Sequence, residues 1–226
     1  MLGSASGFDR CVTMKSSQDQ QRPARHVNEV IDRALQQPTD AHFRAARRLR
    51  ATTPMQNLAE RARRRATLLA RRDRRHSAQI LRSRDRLMLS LYADATPAGW
   101  HTAWCDGSIT TGKREAGIGG LLMDAAGRIV TEVTRRVPEL TPFEAEIAAL
   151  VAILQVARAQ GVQRLRVYSD CGAVVRLWQR SRDDARLVAL AALAREFRRL
   201  QVCALPRLHN QPAHRLAKSG AGHSGA

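Results

Sequence analysis

The stretch HTAWCDGSITTGKREAGIGGLLMDAAGRIVTEVTRRV (residues 101–137) decides the fold: its apolar and polar residues alternate as in strands, and its breaks fall on turn formers. It predicts three consecutive strands, His101–Asp106, Gly117–Met123 and Arg128–Val137. The last two are joined by Asp124-Ala125-Ala126-Gly127, a hairpin turn ending in glycine. Downstream, Thr141-Pro142 opens a helix running to about Gln160, with Thr141 as cap, Pro142 at the first helical position and Gly161 as terminator. Leu165–Ser169 reads as a short apolar strand, Cys171–Arg180 and Ala185–Leu200 as helices, Val202–Leu205 as a strand and Gln211–Ser219 as a last helix. A meander followed by crossovers predicts an α/β fold, a mixed five-stranded sheet flanked by helices.

The texture upstream is different. Residues 1–22 are polar and predict a disordered tail. Residues 23–95 predict a basic, mostly helical extension: short helical patterns up to Arg50, broken at Pro38, then one longer helix from Leu58 to Leu91. Along that helix Leu58, Ala62, Leu69, Ile80, Leu87 and Leu91 recur mostly at helical steps, a stripe thin enough to predict weak docking or ordering on a partner. Thr96-Pro97-Ala98-Gly99 reads as a linker, residues 100–219 as the α/β domain and residues 220–226 as a second tail.

Charge narrows the function. The 226 residues carry a formal +18, and all but Lys15, Lys113 and Lys218 of the 38 basic side chains are arginine. Residues 1–100 hold 20 basic and 9 acidic side chains, residues 101–226 hold 18 and 11. Such an excess points to a polyanion, with the arginines of residues 61–86 tracking a nucleic acid backbone. Aromatics are few before Trp100, so this contact should be electrostatic, salt-sensitive and tolerant of base sequence. No apolar run approaches the roughly 18 residues of a membrane span, and the N-terminus lacks the apolar core of a secretory signal. Cys11, Cys105, Cys171 and Cys203 have no zinc-ligand spacing, and the expected compartment is the cytoplasm.

In so basic a chain, three acids are out of place. Asp106 ends the first strand, on the face shared with Thr102 and Trp104. Glu146 lies one turn into the helix after Pro142, on a stripe with Leu150, Ile153 and Ala157, so it should point toward the sheet. Asp170 closes a strand expected to run parallel to the first, and carboxyl ends of such strands are where open α/β sheets place their sites. Singly, each is an ordinary turn or cap residue. Together they would repel one another unless hard divalent cations sat among them, and two such cations can drive phosphodiester hydrolysis.

The stretches WCDGS (104–108), GIGGLLMDAAGRIV (117–130), PFEAEIAALVAIL (142–154), VYSDCGAVV (167–175) and LPRLHNQPAHRLAK (205–218), in that order and spacing, resemble the ribonuclease H type 1 family, in its plant-like and bacterial branch. The resemblance implies a ribonuclease H-like domain that cleaves the RNA strand of RNA–DNA hybrids with two divalent ions, Mg²⁺ or Mn²⁺. It assigns metal binding to Asp106, Glu146 and Asp170, and turns Gly107, Ser108, Arg207 and Asn210 toward the nucleic acid, with His209 as a further residue of a flexible loop there. The family's last motif usually reads N-x-x-A-D-x-L-A, whereas Asn210-Gln211-Pro212-Ala213-His214-Arg215-Leu216-Ala217 puts His214 where the fourth acidic ligand stands. Imidazole suits Mn²⁺ better than Mg²⁺, so a catalytic, metal-ligating His214 would shift metal preference. The rival readings are a binding module of the same fold whose chemistry is weakened through His214, and a related nuclease or transferase acting on DNA.

Overall fold

A computed structural model describes residues 17–109, 115–138 and 140–222. Four helices come first: α1 (Ser17–Gln36), α2 (Asp40–Arg48), α3 (Met55–Arg72) and α4 (Ser77–Asp94). Three strands follow, β1 (His101–Ile109), β2 (Glu115–Met123) and β3 (Ile129–Pro138), then α5 (Pro142–Ala159), β4 (Arg164–Ser169), α6 (Gly172–Arg180), α7 (Val188–Ala194), β5 (Arg199–Ala204) and α8 (Gln211–Gly220). The strands form one mixed sheet in the order β3-β2-β1-β4-β5. β2 pairs antiparallel with β1 and β3, while β4 runs parallel to β1 and β5 parallel to β4.

Local chemistry accounts for the boundaries. The β2–β3 turn closes on Gly127 at φ +81°, a conformation that side-chain-bearing residues rarely adopt. The Thr141 hydroxyl accepts the Glu144 amide while the Glu144 carboxylate accepts the Thr141 amide at 2.8 Å, a reciprocal box that starts α5 behind Pro142. Gly161, at φ +71°, ends the same helix.

Strand alternation sends two sets of side chains to two cores. Ala103, Cys105, Leu122 and Val167 pack against Leu150 and Ile153 of α5 and Val174 and Trp178 of α6. Trp104, Leu121 and Tyr168 point the other way and join a core with Ile31, Leu35, Leu58, Leu87 and Leu91 of the N-terminal helices. α8 shares this second face. An added Cβ at Gly117 or Gly119 would lie 2.1 Å from the backbone of Ala217, so only glycine lets the helix rest on β2.

Several expectations are corrected. Leu58, Ala62, Leu69, Ile80, Leu87 and Leu91 are all buried, so the extension does not dock weakly: it covers the second face of the sheet. The single helix over 58–91 is two, parted at residues 73–76, where Asp73 accepts the His76 amide at 3.2 Å and bonds its ring at 2.8 Å. Ser17–Arg22, expected within the 1–22 tail, belong to α1, and Gly220, expected in the second tail, ends α8; residues 1–16 and 223–226 lie outside the described residues. The helix expected over Ala185–Leu200 is a 3-10 turn and then α7, because pairing of Arg199 with Arg164 draws the following residues into the sheet. Among the described residues no helix is long and apolar enough to cross a membrane.

Leu87 is fully buried between the helices and the sheet. Leu87→Ala should lower unfolding free energy by about 2–5 kcal/mol, read from urea melts, as for other large-to-small changes in a tight core. A helix that merely leaned on the sheet would lose well under 1 kcal/mol.

Candidate active site

The parallel pairing of β1 and β4 ends with Cys105 opposite Ser169, so the next residues, Asp106 and Asp170, stand side by side where that ladder stops. The sequence expectation that Asp106 ends its strand is corrected, since β1 runs on to Ile109 in pairing with β2. Gly107 then makes the third approach possible. A Cβ there would lie 2.5 Å from the Ala145 carbonyl carbon and 2.6 Å from the Glu146 amide nitrogen, so α5 touches β1 backbone to backbone. The Gly107 amide donates to Glu146 Oε2 at 3.2 Å. Each of Asp106, Glu146 and Asp170 can thereby offer an oxygen lying within 4.8 Å of the others. The sequence expectation that these three acids converge is met.

Their electrostatics follow from the crowding. Asp106 is buried, and burial first, then the charges of Glu146 and Asp170, push its carboxyl up to about 9, against the opposing pull of Arg207. Glu146 is pushed up to about 7, again by burial first and then by Asp170. A hard divalent cation would remove that repulsion, and carboxylate oxygens are its preferred donors, so this set fits such an ion. The coupled titration also means that ion uptake should expel protons.

His214 stands beside this group and not within it. α8, resting on Gly117 and Gly119, brings its ring Nδ1 to 2.8 Å from Asp106 Oδ2. Burial, then Arg207 and Lys218, hold the imidazole below its ordinary pKa, which favours the neutral ring. With Asp106 ionised, Nδ1–H donates to Oδ2 and leaves Nε2 as the ring's acceptor.

Two residues expected at the substrate are placed differently. Asn210 is fully buried; its Nδ2 donates to the Cys105 carbonyl at 2.9 Å and to Asp170 Oδ1 at 2.5 Å, tying β1 to Asp170 instead of facing nucleic acid. His209 sits in a 3-10 turn, Arg207–His209, and points inward: Nδ1 lies 2.7 Å from the Tyr92 hydroxyl. The reason is the extension, which covers the side to which the ring turns. Arg207 remains exposed, and Gly107 and Ser108 half-exposed, beside the carboxylates. Tyr92 was missed as a partner of the site. Its signal was present: a polar-tipped aromatic four residues after Met88 on a buried helix face needs a hydrogen-bond partner.

Among the arginines of residues 61–86, two groups stand apart. Arg63 pairs with Glu60, Arg65 with Asp32 and Arg84 with Asp85, so these brace helices. Arg71, Arg72, Arg74 and Arg75, around the α3–α4 turn, are exposed and make no side-chain ion pair among the described residues, the Asp73 carboxylate there being taken by His76. Leu68 is exposed on the same helix.

Residues 104–220, just over half of the chain, match the protein family described as reverse transcriptase-like. Ribonuclease H1 from the halophilic archaeon Halobacterium salinarum NRC-1 is 25% identical at a TM-score of 0.51, over 56% of this chain and 100% of its own. The N-terminal ribonuclease H domain of a Mycobacterium tuberculosis protein, solved as a fusion with maltose-binding protein, is 26% identical at a TM-score of 0.51, over 55% of this chain and 95% of that one. Comparison with curated proteins gives no match.

Gly107→Ala should separate α5 from β1. The expected result is a loss of about 1–3 kcal/mol of stability from overpacking, with weakened divalent-ion binding in calorimetry, because Glu146 moves with the helix. Unchanged ion affinity in the folded variant would show that Gly107 does not set the position of Glu146.

Proposed function

The chain belongs to the reverse transcriptase-like family of ribonuclease H-like proteins, and from that premise we propose that it is a metal-dependent endoribonuclease acting on the RNA strand of RNA–DNA hybrids. The observation that carries this reading is the meeting of Asp106, Glu146 and Asp170, with oxygens within 4.8 Å, where the parallel pairing of β1 and β4 ends. Asp106, Glu146 and Asp170 would hold the ions, Mg²⁺ or Mn²⁺. When bound, these would supply Lewis acidity to an attacking water and to the departing oxygen of the phosphodiester, leaving a 5′-phosphate and a 3′-hydroxyl.

The remaining residues serve that centre. Asn210 donates to Asp170 and so limits its rotation, while the Gly107 amide does the same for Glu146. His214 engages one oxygen of Asp106 and restrains that carboxylate from the side. Arg207 is the cation whose charge reaches both Asp106 and Glu146, and its proposed role is to meet the backbone phosphates of the substrate. Ser108 and the backbone at Gly107 would face the minor groove, where a 2′-hydroxyl distinguishes RNA from DNA. Arg71, Arg72, Arg74 and Arg75 would hold nucleic acid flanking the cleaved step through charge alone.

One observation favours a second reading, a binding module with weakened chemistry: the fourth position of the motif carries His214, which adds no negative charge to the group. Hybrid cleavage with Mg²⁺ and with Mn²⁺, on the unmodified protein and on Asp106→Asn, separates the two. The enzyme reading expects RNA-strand cleavage that the variant abolishes, with all-DNA duplex left intact. A protein that binds hybrid equally well with either residue, and cuts with neither ion, is the binding module.

The electrostatic handle has its own measurement. Replacing Arg71 and Arg72 by alanine should flatten the dependence of log affinity on log salt by about 1 to 2 units, roughly one per lost phosphate contact. Affinity should fall for every sequence alike. An unchanged slope would remove these arginines from the interface.

A further inference from the structure

The turn Arg207–His209 has two sides. On one, Arg207 acts on Asp106 and Glu146, and the adjoining Asn210 donates to Asp170. On the other, His209 is buried, with Nδ1 at 2.7 Å from the Tyr92 hydroxyl of α4 and Nε2 at 3.8 Å from Glu60 Oε2 of α3. Tyr92 is itself wedged: its ring meets Tyr168 edge-on at 5.0 Å and the His209 ring at 5.9 Å, and Tyr168 packs on Trp104 at 5.7 Å. Glu60 is fixed in turn by Arg63 and Arg64, which hold its carboxylate well below the usual range, at about 2. The segment carrying Arg207 and Asn210 is therefore gripped from beneath by two helices that lie outside residues 104–220, the stretch that matches the family.

We propose that Tyr92, with Glu60, is a positioning residue for substrate: through His209 it holds the turn that presents Arg207, which makes the N-terminal extension a structural component of the active site. The proposal rests on the reading of hybrid binding above. A buried hydroxyl that meets an imidazole nitrogen is lost with a cost to both groups, so removal of the oxygen alone frees the ring of His209 to turn. Apart from His209 the turn itself is exposed; freed there, it is held at its two ends, by Leu205, whose amide donates to the Ser169 carbonyl, and by Asn210. Between them the Gln211 side-chain amide nitrogen donates to the Arg207 carbonyl at 3.3 Å and leaves the guanidinium of Arg207 unrestrained. The effect on substrate then passes through the guanidinium of Arg207, and this predicts thermodynamic coupling between positions 92 and 207.

The test is a double-mutant cycle of Tyr92→Phe and Arg207→Ala, read as the dissociation constant for an RNA–DNA hybrid by fluorescence anisotropy in chelator. Melting curves give the folded fraction of each variant. Tyr92→Phe should weaken binding several-fold when Arg207 is present and by less than about 1.5-fold when it is absent. His209→Gln should behave as Tyr92→Phe does, and it decides the matter if the tyrosine variant does not fold. A merely structural Tyr92 lowers the melting temperature and leaves the affinity of the folded fraction unchanged, or weakens it equally in both backgrounds; either result overturns the proposal. An unmodified protein that fails to bind hybrid at all instead overturns the reading of function, and this inference with it.

Discussion

Mutual repulsion among three carboxylates, one of them buried, is the constraint on which the rest of this structure depends. Left to themselves, Asp106, Glu146 and Asp170 would move apart into water. They are kept together by contacts that carry no net charge of their own: the parallel register of β1 and β4, the closeness of α5 to Gly107, and the side-chain amide of Asn210. Packing and hydrogen bonding in the surrounding layers supply the free energy that this unfavourable grouping costs. The raised pKa values of Asp106 and Glu146 are the visible sign of that cost.

The second face of the sheet receives what the first does not. α5, α6 and α7 cover one side, whereas α8 leaves part of the other side free, and the N-terminal helices fill it. The basic extension thus has two chemical characters. Its inward face is aliphatic, built on leucine and alanine, and joins Trp104 and Tyr168. Its outward face keeps arginines, some paired with carboxylates of the same helix, as Arg63 and Arg64 with Glu60, and one, Arg65, paired with Asp32 of a neighbouring helix. Arg84 and Arg215 both reach Asp85, so that one buried acid links α4 to α8.

Features governed by chemistry within a few residues were legible in the sequence. Thr141-Pro142, Gly161 and the turn at Asp124–Gly127 are such cases, and so was the direction of Glu146, because a stripe with Leu150, Ile153 and Ala157 leaves it one orientation. The convergence of the three acids was legible only as an ordered set of stretches, since no one stretch carries it. Most of what escaped depends on contacts distant in the chain. His209 turns inward because Tyr92, 117 residues earlier, offers a hydroxyl. Asn210 looks inward because the Cys105 carbonyl and Asp170 take both hydrogen bonds of its amide nitrogen. The division between α3 and α4 has neither glycine nor proline to announce it; Asp73 and His76 close the break through side-chain bonds that periodicity does not register.

The order of the chain has a consequence for how this fold is reached during synthesis. Translation completes α1–α4 before it makes β1, so Leu58, Leu87 and Leu91 emerge from the ribosome ahead of Trp104 and Tyr168. Until those aromatics arrive, the apolar face of the helices lacks its partner in the sheet, and the nascent chain passes through an interval in which chaperones that bind apolar surface find it accessible.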